Sequence, residues 1–342
     1  MGRVLASSML AAWMVVVMTM PVAGQALPAA GKPGGTTKRW VPPRTADGQP
    51  DLQGVWTNGS NIPLERPKNL GAKEFYTEQE AADIVKKVAV RGDRVPPPEA
   101  HYDLSQFGLE TGQAKFAHDL RTSLIVGPDG RLPPKSAEGR KRVADSEEKA
   151  KGHEFDGPET RPLKERCIMW PDEGPPMLPA SYNSNLQIVQ NPGYVAIVQE
   201  MIHDIRIIPL DGRPHPPRNV HQWMGDSRGH WEGDTLVVDA TNFIEKTALN
   251  VPRGYAIPPT SERLHVVERF TRTDPNTILY EFTVDDPATW SKAWTGRVTI
   301  MKIEGAIYEY ACHEGNYGMA NTLSGARAEE KAAGAAAQKG AR

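Results

Sequence analysis

From Asn185 onward the chain alternates apolar and polar residues in short runs divided by turn residues, and this pattern leaves few folds open. The runs are LQIVQ, YVAIVQEM, RIIPL, TLVVDATNF, LHVVERFTR, TILYEFTVD, TGRVTIMKI and AIYEYACH, with NPG, DGRPHPP, TDPN and EG among the breaks. In the clearest run Ile278, Tyr280, Phe282 and Val284 share one face, while Thr277, Glu281 and Thr283 share the other. A period of two over this length specifies a half-buried strand. Strand after strand at a spacing near ten residues is an antiparallel meander. Adding the earlier DLQGVW and SLIVG runs gives an expectation of about nine to eleven strands. Such a set hides its edges best as a closed or nearly closed barrel, or as a curved sheet or sandwich. No recurring signature of roughly 40 residues is visible, which argues against a propeller.

Thirty prolines and 31 glycines fit long irregular connections better than a helical bundle. Two peripheral helices are expected. One covers 77–92, where Thr77 and Glu80 form a capping box and Gly92 ends the run. The other covers the polar stretch 136–152. A single β-rich domain is expected over 51–325, followed by a low-complexity charged tail over 326–342 that reads as disordered or as a frayed helix.

The chain opens with Arg3, an apolar stretch from Val4 to Met20, Pro21, and the small residues Gly24 and Ala26. That layout reads as a cleavable export signal over 1–26, leaving a protein without a stable membrane span in the periplasm or outside the cell. Residues 27–50 read as a Pro/Gly-rich linker. The net charge of −2 comes from interspersed acids and bases, with no basic stripe of the kind that nucleic acid requires. Cys167 and Cys312 are the only cysteines. In an oxidising compartment they are a candidate disulfide, with two free thiols as the alternative.

The segment 200–234 concentrates groups capable of chemistry. Its centre holds Pro214, Pro216 and Pro217, which remove backbone donors and fix φ, so Asp211 to Gly229 is expected to be a long loop. Glu200, His203 and Asp204 stand at a hairpin where a carboxylate beside an imidazole provides the minimum for acid–base work. A surface turn with an ordinary ion pair is the bland alternative. His221, Trp223, Asp226 and Arg228, with Trp231 following, fit an aromatic wall meeting a few polar groups. A loop anchored by buried tryptophans explains the same residues. In EYACHEGNYGM, strand alternation would send Cys312 and His313 to opposite faces, leaving His313 as a second proton-transfer candidate.

DLQGVW, RCIMWPDEGPPMLP, HDIRIIPLDGRPHPP, WEGDTLVVDATNF and EYACHEGNYGM together resemble a family of exported bacterial proteins to which no activity is attached. Gly54-x-Trp56 and the meander are also similar to lipocalin-like barrels, in which such a Trp plugs one end. The long Pro-rich loops and the helices depart from that pattern.

These readings converge on an enzyme acting on a small, partly apolar or aromatic molecule by His/carboxylate acid–base chemistry, as an isomerase, lyase or hydrolase without an organic cofactor. His203 or His221 would be the acid or base, and Glu200 or Asp226 would orient it. Arg206 would hold an anionic group, Trp223 would pack on the substrate, and Arg228 and Trp231 would complete the site. Two alternatives stand beside this: a non-catalytic small-molecule binding protein, and a protein holding a divalent metal through Glu200, His203 and His313. No HExxH, paired CxxC, G-x-S-x-G, G-x-G-x-x-G or P-loop occurs.

Overall fold

The computed structural model describes residues 40–60, 62–92, 120–170, 173–179, 183–245, 248–251 and 255–340. The expected export signal and the first part of the linker lie outside them. The described residues fall within the unit Trp40–Arg342.

Eleven strands form among the described residues: β1 Gly54–Thr57, β2 Asn185–Asn191, β3 Tyr194–Gln199, β4 Ile205–Pro209, β5 Asp226–Glu232, β6 Thr235–Thr241, β7 Ala248–Val251, β8 Tyr255–Pro259, β9 His265–Asp274, β10 Thr277–Asp285 and β11 Trp294–Lys302. Nine of them make one sheet in the order β4-β3-β2-β1-β11-β10-β9-β6-β5, and β7 pairs with β8 as a separate hairpin. Followed around, this is an up-and-down meander that closes on itself through β1 and β11, with the β7–β8 hairpin inserted between β6 and β9. The expected barrel is present and is nearly closed.

The strand count explains where closure stops. Every hydrogen-bonded neighbour pair in the sheet is antiparallel. An odd number of strands cannot alternate direction all the way round, so the two end strands, β4 and β5, must run the same way. Parallel neighbours cannot be joined by a tight turn and need a crossover of a dozen or more residues. Residues 210–225 supply it. The long loop in the sequence is thus a topological necessity of a nine-stranded meander.

β4 and β5 meet through side chains. The Arg206 Nη2 donates to Ser227 Oγ at 3.2 Å. A Cβ on Gly229 would stand 2.7 Å from Leu210 Cδ2 and 2.8 Å from Ile208 Cγ2, so the missing side chain lets the two strands approach. The strand β5 corrects the expectation that Asp211 to Gly229 is all loop. The prolines end their influence at Pro217, and Ser227 and Gly229 face inward without the apolar signature that marks a strand in the sequence.

Alternation fills the barrel. Val266, Glu268, Phe270 and Arg272 of β9 and Ile278, Tyr280, Phe282 and Val284 of β10 are buried, while their neighbours are more exposed. Ring centroids of Phe270 and Tyr280 are 4.8 Å apart, Tyr280 and Phe282 5.4 Å, and Phe282 and Trp294 5.7 Å, an aromatic ladder across β9, β10 and β11. Trp56 is fully buried and donates its Nε1 proton to the Leu52 carbonyl at 3.0 Å. The Arg272 guanidinium lies 5.4 Å from its ring centroid and donates to the carbonyls of Asp51 and Pro275.

The helices are α1 Glu78–Gly92, α2 Ala137–Ala150 and α3 Tyr317–Gly340. The capping box of α1 forms as expected, with Glu80 N donating to Thr77 Oγ1 and Thr77 N donating to Glu80 Oε2. Ser136 caps α2 by accepting from Gly139 N, and its hydroxyl donates to the Ala288 carbonyl, fastening the helix to the β10–β11 connection. The tail read as disordered or frayed is part of the exposed helix α3. The run AIYEYACH, residues 306–313, read as a final strand, forms none: the sheet ends at Lys302 and the chain continues without regular structure.

Cys167 and Cys312 form a disulfide, with Cα atoms 5.7 Å apart. No helix among the described residues is long and apolar enough to cross a membrane.

Candidate functional site

The 210–225 crossover folds back over the outer face of β5 and β6, where Asn242 makes most of its ties. Asn242, which follows β6 at φ 61°, donates its side-chain amide to the carbonyls of Pro216, Pro217 and Val220. Gln222 N donates to the Asn242 carbonyl and Ile244 N to the Gln222 carbonyl. At the loop's end Gly225 adopts φ 68°, where a Cβ would lie 2.6 Å from the Thr241 carbonyl oxygen. Pinned in this way, the loop presents His215 to two strands.

His215 Nδ1 stands 2.6 Å from Asp226 Oδ2, and its Nε2 stands 2.9 Å from Asp239 Oδ1. The other oxygen of Asp239 stands 2.7 Å from His265 Nε2. Behind Asp226, Arg228 donates from Nε at 2.7 Å and Nη2 at 2.9 Å, a bidentate clamp. The result is a continuous relay Arg228–Asp226–His215–Asp239–His265 across the loop, β5, β6 and β9. It grades from covered to open: side-chain exposure is 12% at Asp226, 25% at His215 and 40% at His265.

The electrostatics follow from the contacts. The hydrogen bond to Asp239 raises the His265 pKa above its ordinary 6.5; burial opposes this, and the charges of Asp239 and Asp285 add to it. Burial works against the charge on Asp239, but the hydrogen bonds and charges of His265 and His215 outweigh it and hold the carboxyl below its ordinary 3.8. The sign of the linkage is set by these shifts. The raised histidine contributes stability that is complete below pH 6.5 and is lost as pH rises through its folded value. The lowered aspartate contributes stability present above pH 3.8 and lost as pH falls through its folded value. Both contributions are complete between 3.8 and 6.5. We expect the His265 ring to titrate by NMR with a midpoint above 6.5 and Asp239→Asn to lower it. A midpoint indifferent to that substitution contradicts the assigned pair.

The residues singled out from sequence do not gather at one point. Asp226 and Arg228 belong to the relay. His221 and Trp223 are half-buried in the crossover, and Trp231 packs partly against the barrel core. Glu200 is buried, its Oε1 accepting from Asn183 Nδ2 at 2.7 Å and its Oε2 from Asn185 Nδ2 and Tyr308 N. That makes it an anchor for the chain leaving β11. His203 is exposed at the β3–β4 turn, in the left-handed region at φ 44°. His313 is exposed beyond the disulfide. Asp204 is half-buried, and burial raises its pKa against the opposing influence of Glu173 and His203.

Arg206 lies inside the barrel, not on its surface. Its Nη1 donates to Glu268 Oε1 at 3.1 Å and its Nη2 to Glu268 Oε2 at 2.5 Å. Inward-facing β4 positions are fixed by period-two register, so the arginine that seemed available for an anion already has its carboxylate. Among the described residues no group of three or more His, Cys, Asp or Glu is placed to hold a metal ion, and Glu200, His203 and His313 are described residues.

His215, Asp239 and His265 were not among the sequence candidates. His215 carried a signal, being a histidine braced by prolines on both sides. Asp239 and His265 carried little, because they are single outward positions on strands whose lateral alignment only the register reveals.

Comparison with known proteins returns no matching family model, no matching curated protein and no matching solved structure. The resemblances read from sequence motifs therefore gain no support there, and function has to be argued from the site.

Proposed function

We propose that this protein is an exported enzyme acting on a small, partly apolar or aromatic molecule by His/carboxylate acid–base chemistry, with His265 as the proton-transfer group. The observation that carries this reading is the relay ending at His265. One ring nitrogen is oriented by Asp239, and among the described residues the other has no partner. An imidazole held by a carboxylate, with its free nitrogen toward solvent, is arranged to pass a proton to or from a bound molecule. Asp239 would orient the ring and stabilise its protonated form. His215, Asp226 and Arg228 would act through Asp239 as positioning residues.

Export is supported by the disulfide between Cys167 and Cys312, a bond that persists in oxidising compartments. The apolar opening segment of the sequence agrees with it.

The test is turnover of the purified protein on a panel of small aromatic and alicyclic esters, lactones, enones and hydroxy ketones, compared with His265→Ala and Asp239→Asn. General acid–base catalysis contributes about 10²- to 10⁴-fold, so His265→Ala is expected to lower kcat by at least 100-fold while ligand affinity stays within a few-fold. Turnover that survives His265→Ala sinks the assignment. Binding without turnover in the unmodified protein favours the non-catalytic binding reading instead.

A further inference from the structure

The His215 ring has a carboxylate at each of its nitrogens. Asp226 Oδ2 stands 2.6 Å from Nδ1, and Asp239 Oδ1 stands 2.9 Å from Nε2. A neutral imidazole carries one N–H and one lone pair, so it can donate to only one of the two acids. The imidazolium has two N–H groups and donates to both. Neither acid is placed to supply a proton in its stead. Asp226 already accepts two bonds from the Arg228 guanidinium. Burial opposes the charge on Asp239, but the hydrogen bonds and charges of His265 and His215 hold that carboxyl below its ordinary 3.8. With the ring protonated, charge alternates in sign from Arg228 through Asp226 and His215 to Asp239.

The contact joins three elements, because His215 belongs to the 210–225 crossover, Asp226 to β5 and Asp239 to β6. The crossover leaves the wall only when the ring's bonds and the Asn242 bonds to Pro216, Pro217 and Val220 break together. Removing one ring proton takes away one of those bonds and sets a lone pair against a carboxylate oxygen. The open population therefore rises when the proton leaves. Other charged groups stand on the elements around the ring. Beside Asp226 and Arg228, β5 carries His230, which pairs with Glu232. On β9 is His265, with Asp285 of β10 across from it. The crossover itself holds Asp211 and Arg213, paired with each other, together with Arg218 and His221. The imidazoles His221, His230 and His265 are the groups from which His215 has to be distinguished.

We propose that His215 is a pH-operated latch: its protonated ring fastens the crossover to β5 and β6, and loss of a ring proton frees the crossover to open. The sign follows from the geometry. The latch is closed on the acid side of the range in which an imidazole changes charge and loosens as pH rises through it. Opening takes the His215 cation away from Asp239, the carboxylate that orients His265. As regulation of turnover the latch rests on the enzymatic reading; as a movement of the chain it is measured without substrate, so the two can fail separately.

Limited trypsin digestion of the full chain tests it. Arg213 precedes Pro214 and resists trypsin, which leaves Arg218 as the cleavable arginine of the crossover. Arg327 on α3 serves as the internal reference, because its partners are Glu330 and the Phe155 carbonyl, and taking the ratio of the two cleavages cancels the enzyme's own pH dependence. Between pH of about 5.5 and about 9, which brackets the imidazole range, the Arg218 to Arg327 ratio is expected to rise by about fivefold or more. In His215→Gln, which can donate to one acid at most, the ratio should be high and flat. In His265→Gln the rise should persist. The proposal is overturned by a flat ratio in the unmodified protein, by a rise that survives in His215→Gln, or by a rise that disappears in His265→Gln. Should His215→Gln fail to fold, nitrogen NMR of the His215 ring in the unmodified protein at pH of about 5.5 decides the matter. Two protonated ring nitrogens support the latch, and a single one overturns it.

Discussion

Arg206→Ala is expected to lower unfolding stability by about 3–5 kcal/mol, the cost of stranding a buried carboxylate. Glu268 would lose both guanidinium bonds while remaining fully buried, with only the Tyr280 hydroxyl to satisfy it. The same substitution removes the Arg206 contact to Ser227 across the β4–β5 seam, where no backbone ladder substitutes for it. Glu268→Ala should cost a similar amount, because it strands the arginine in turn. Replacing both partners by apolar residues of similar volume, as in Arg206→Met with Glu268→Leu, removes the uncompensated charge. It should return stability to within ~1–3 kcal/mol of the unmodified protein, the remainder being the Tyr280 hydroxyl left without an acceptor. Urea unfolding of the two single variants and the double variant measures all three. A double variant as unstable as the sum of the singles would mean that the pair is not the source of the cost.

This network was invisible in the sequence for a specific reason. RIIPL and LHVVERFTR were legible as strands, but only part of their apolar pattern marks the inward face: Val266 and Phe270 of β9 and Ile208 of β4 are buried, whereas Ile205 and Ile207 are exposed. Arg206 and Glu268 sit on that same inward face, where a pattern reader expects Ile or Val and treats a charged residue as a surface position. Only their lateral approach from β4 and β9, separated in the sheet by the open seam and by β5 and β6, supplies the partner that makes burial tolerable. The strands were readable because their information is local and periodic. The relay Asp226–His215–Asp239–His265 was half readable: the Pro-rich crossover stood out, whereas its docking position depends on Asn242 and on strand register. Glu200, His203 and His313 looked like chemistry by composition. The β3–β4 turn instead buries the first and exposes the second.

The odd strand count links these observations. Because nine strands leave β4 and β5 parallel, the chain must travel the length of the barrel between them, and that return passage is the loop carrying His215. Because the seam has no ladder, a side chain bridges it, and Arg206 does so from inside. The outer contact of His215 with β5 and the inner contact of Arg206 with Ser227 both arise where β4 and β5 fail to pair.

Reducing the disulfide, or replacing Cys312 by Ser, is expected to cost between ~2 and ~5 kcal/mol. The bridge closes a loop with a sequence separation of 145 residues. Chain entropy for a closure of that length corresponds to about 5 kcal/mol, and measured effects of native bridges generally fall in or below the range 2–5. The position of the bond shapes how the loss appears. Cys167 lies in the irregular segment that precedes the buried residues 173–178, and Cys312 lies in the segment that leaves β11, so neither half is part of a strand. Asn316, just before α3, adds one further tie by donating its side-chain amide to the Glu165 carbonyl. The Cys312→Ser variant should therefore show a lower urea midpoint together with faster tryptic cleavage at Arg327 within α3, because the segment joining that helix to the barrel has lost its covalent anchor. A variant that loses the midpoint without the cleavage would place the whole effect in the unfolded chain, where cross-linking restricts the ensemble and local anchoring plays no part.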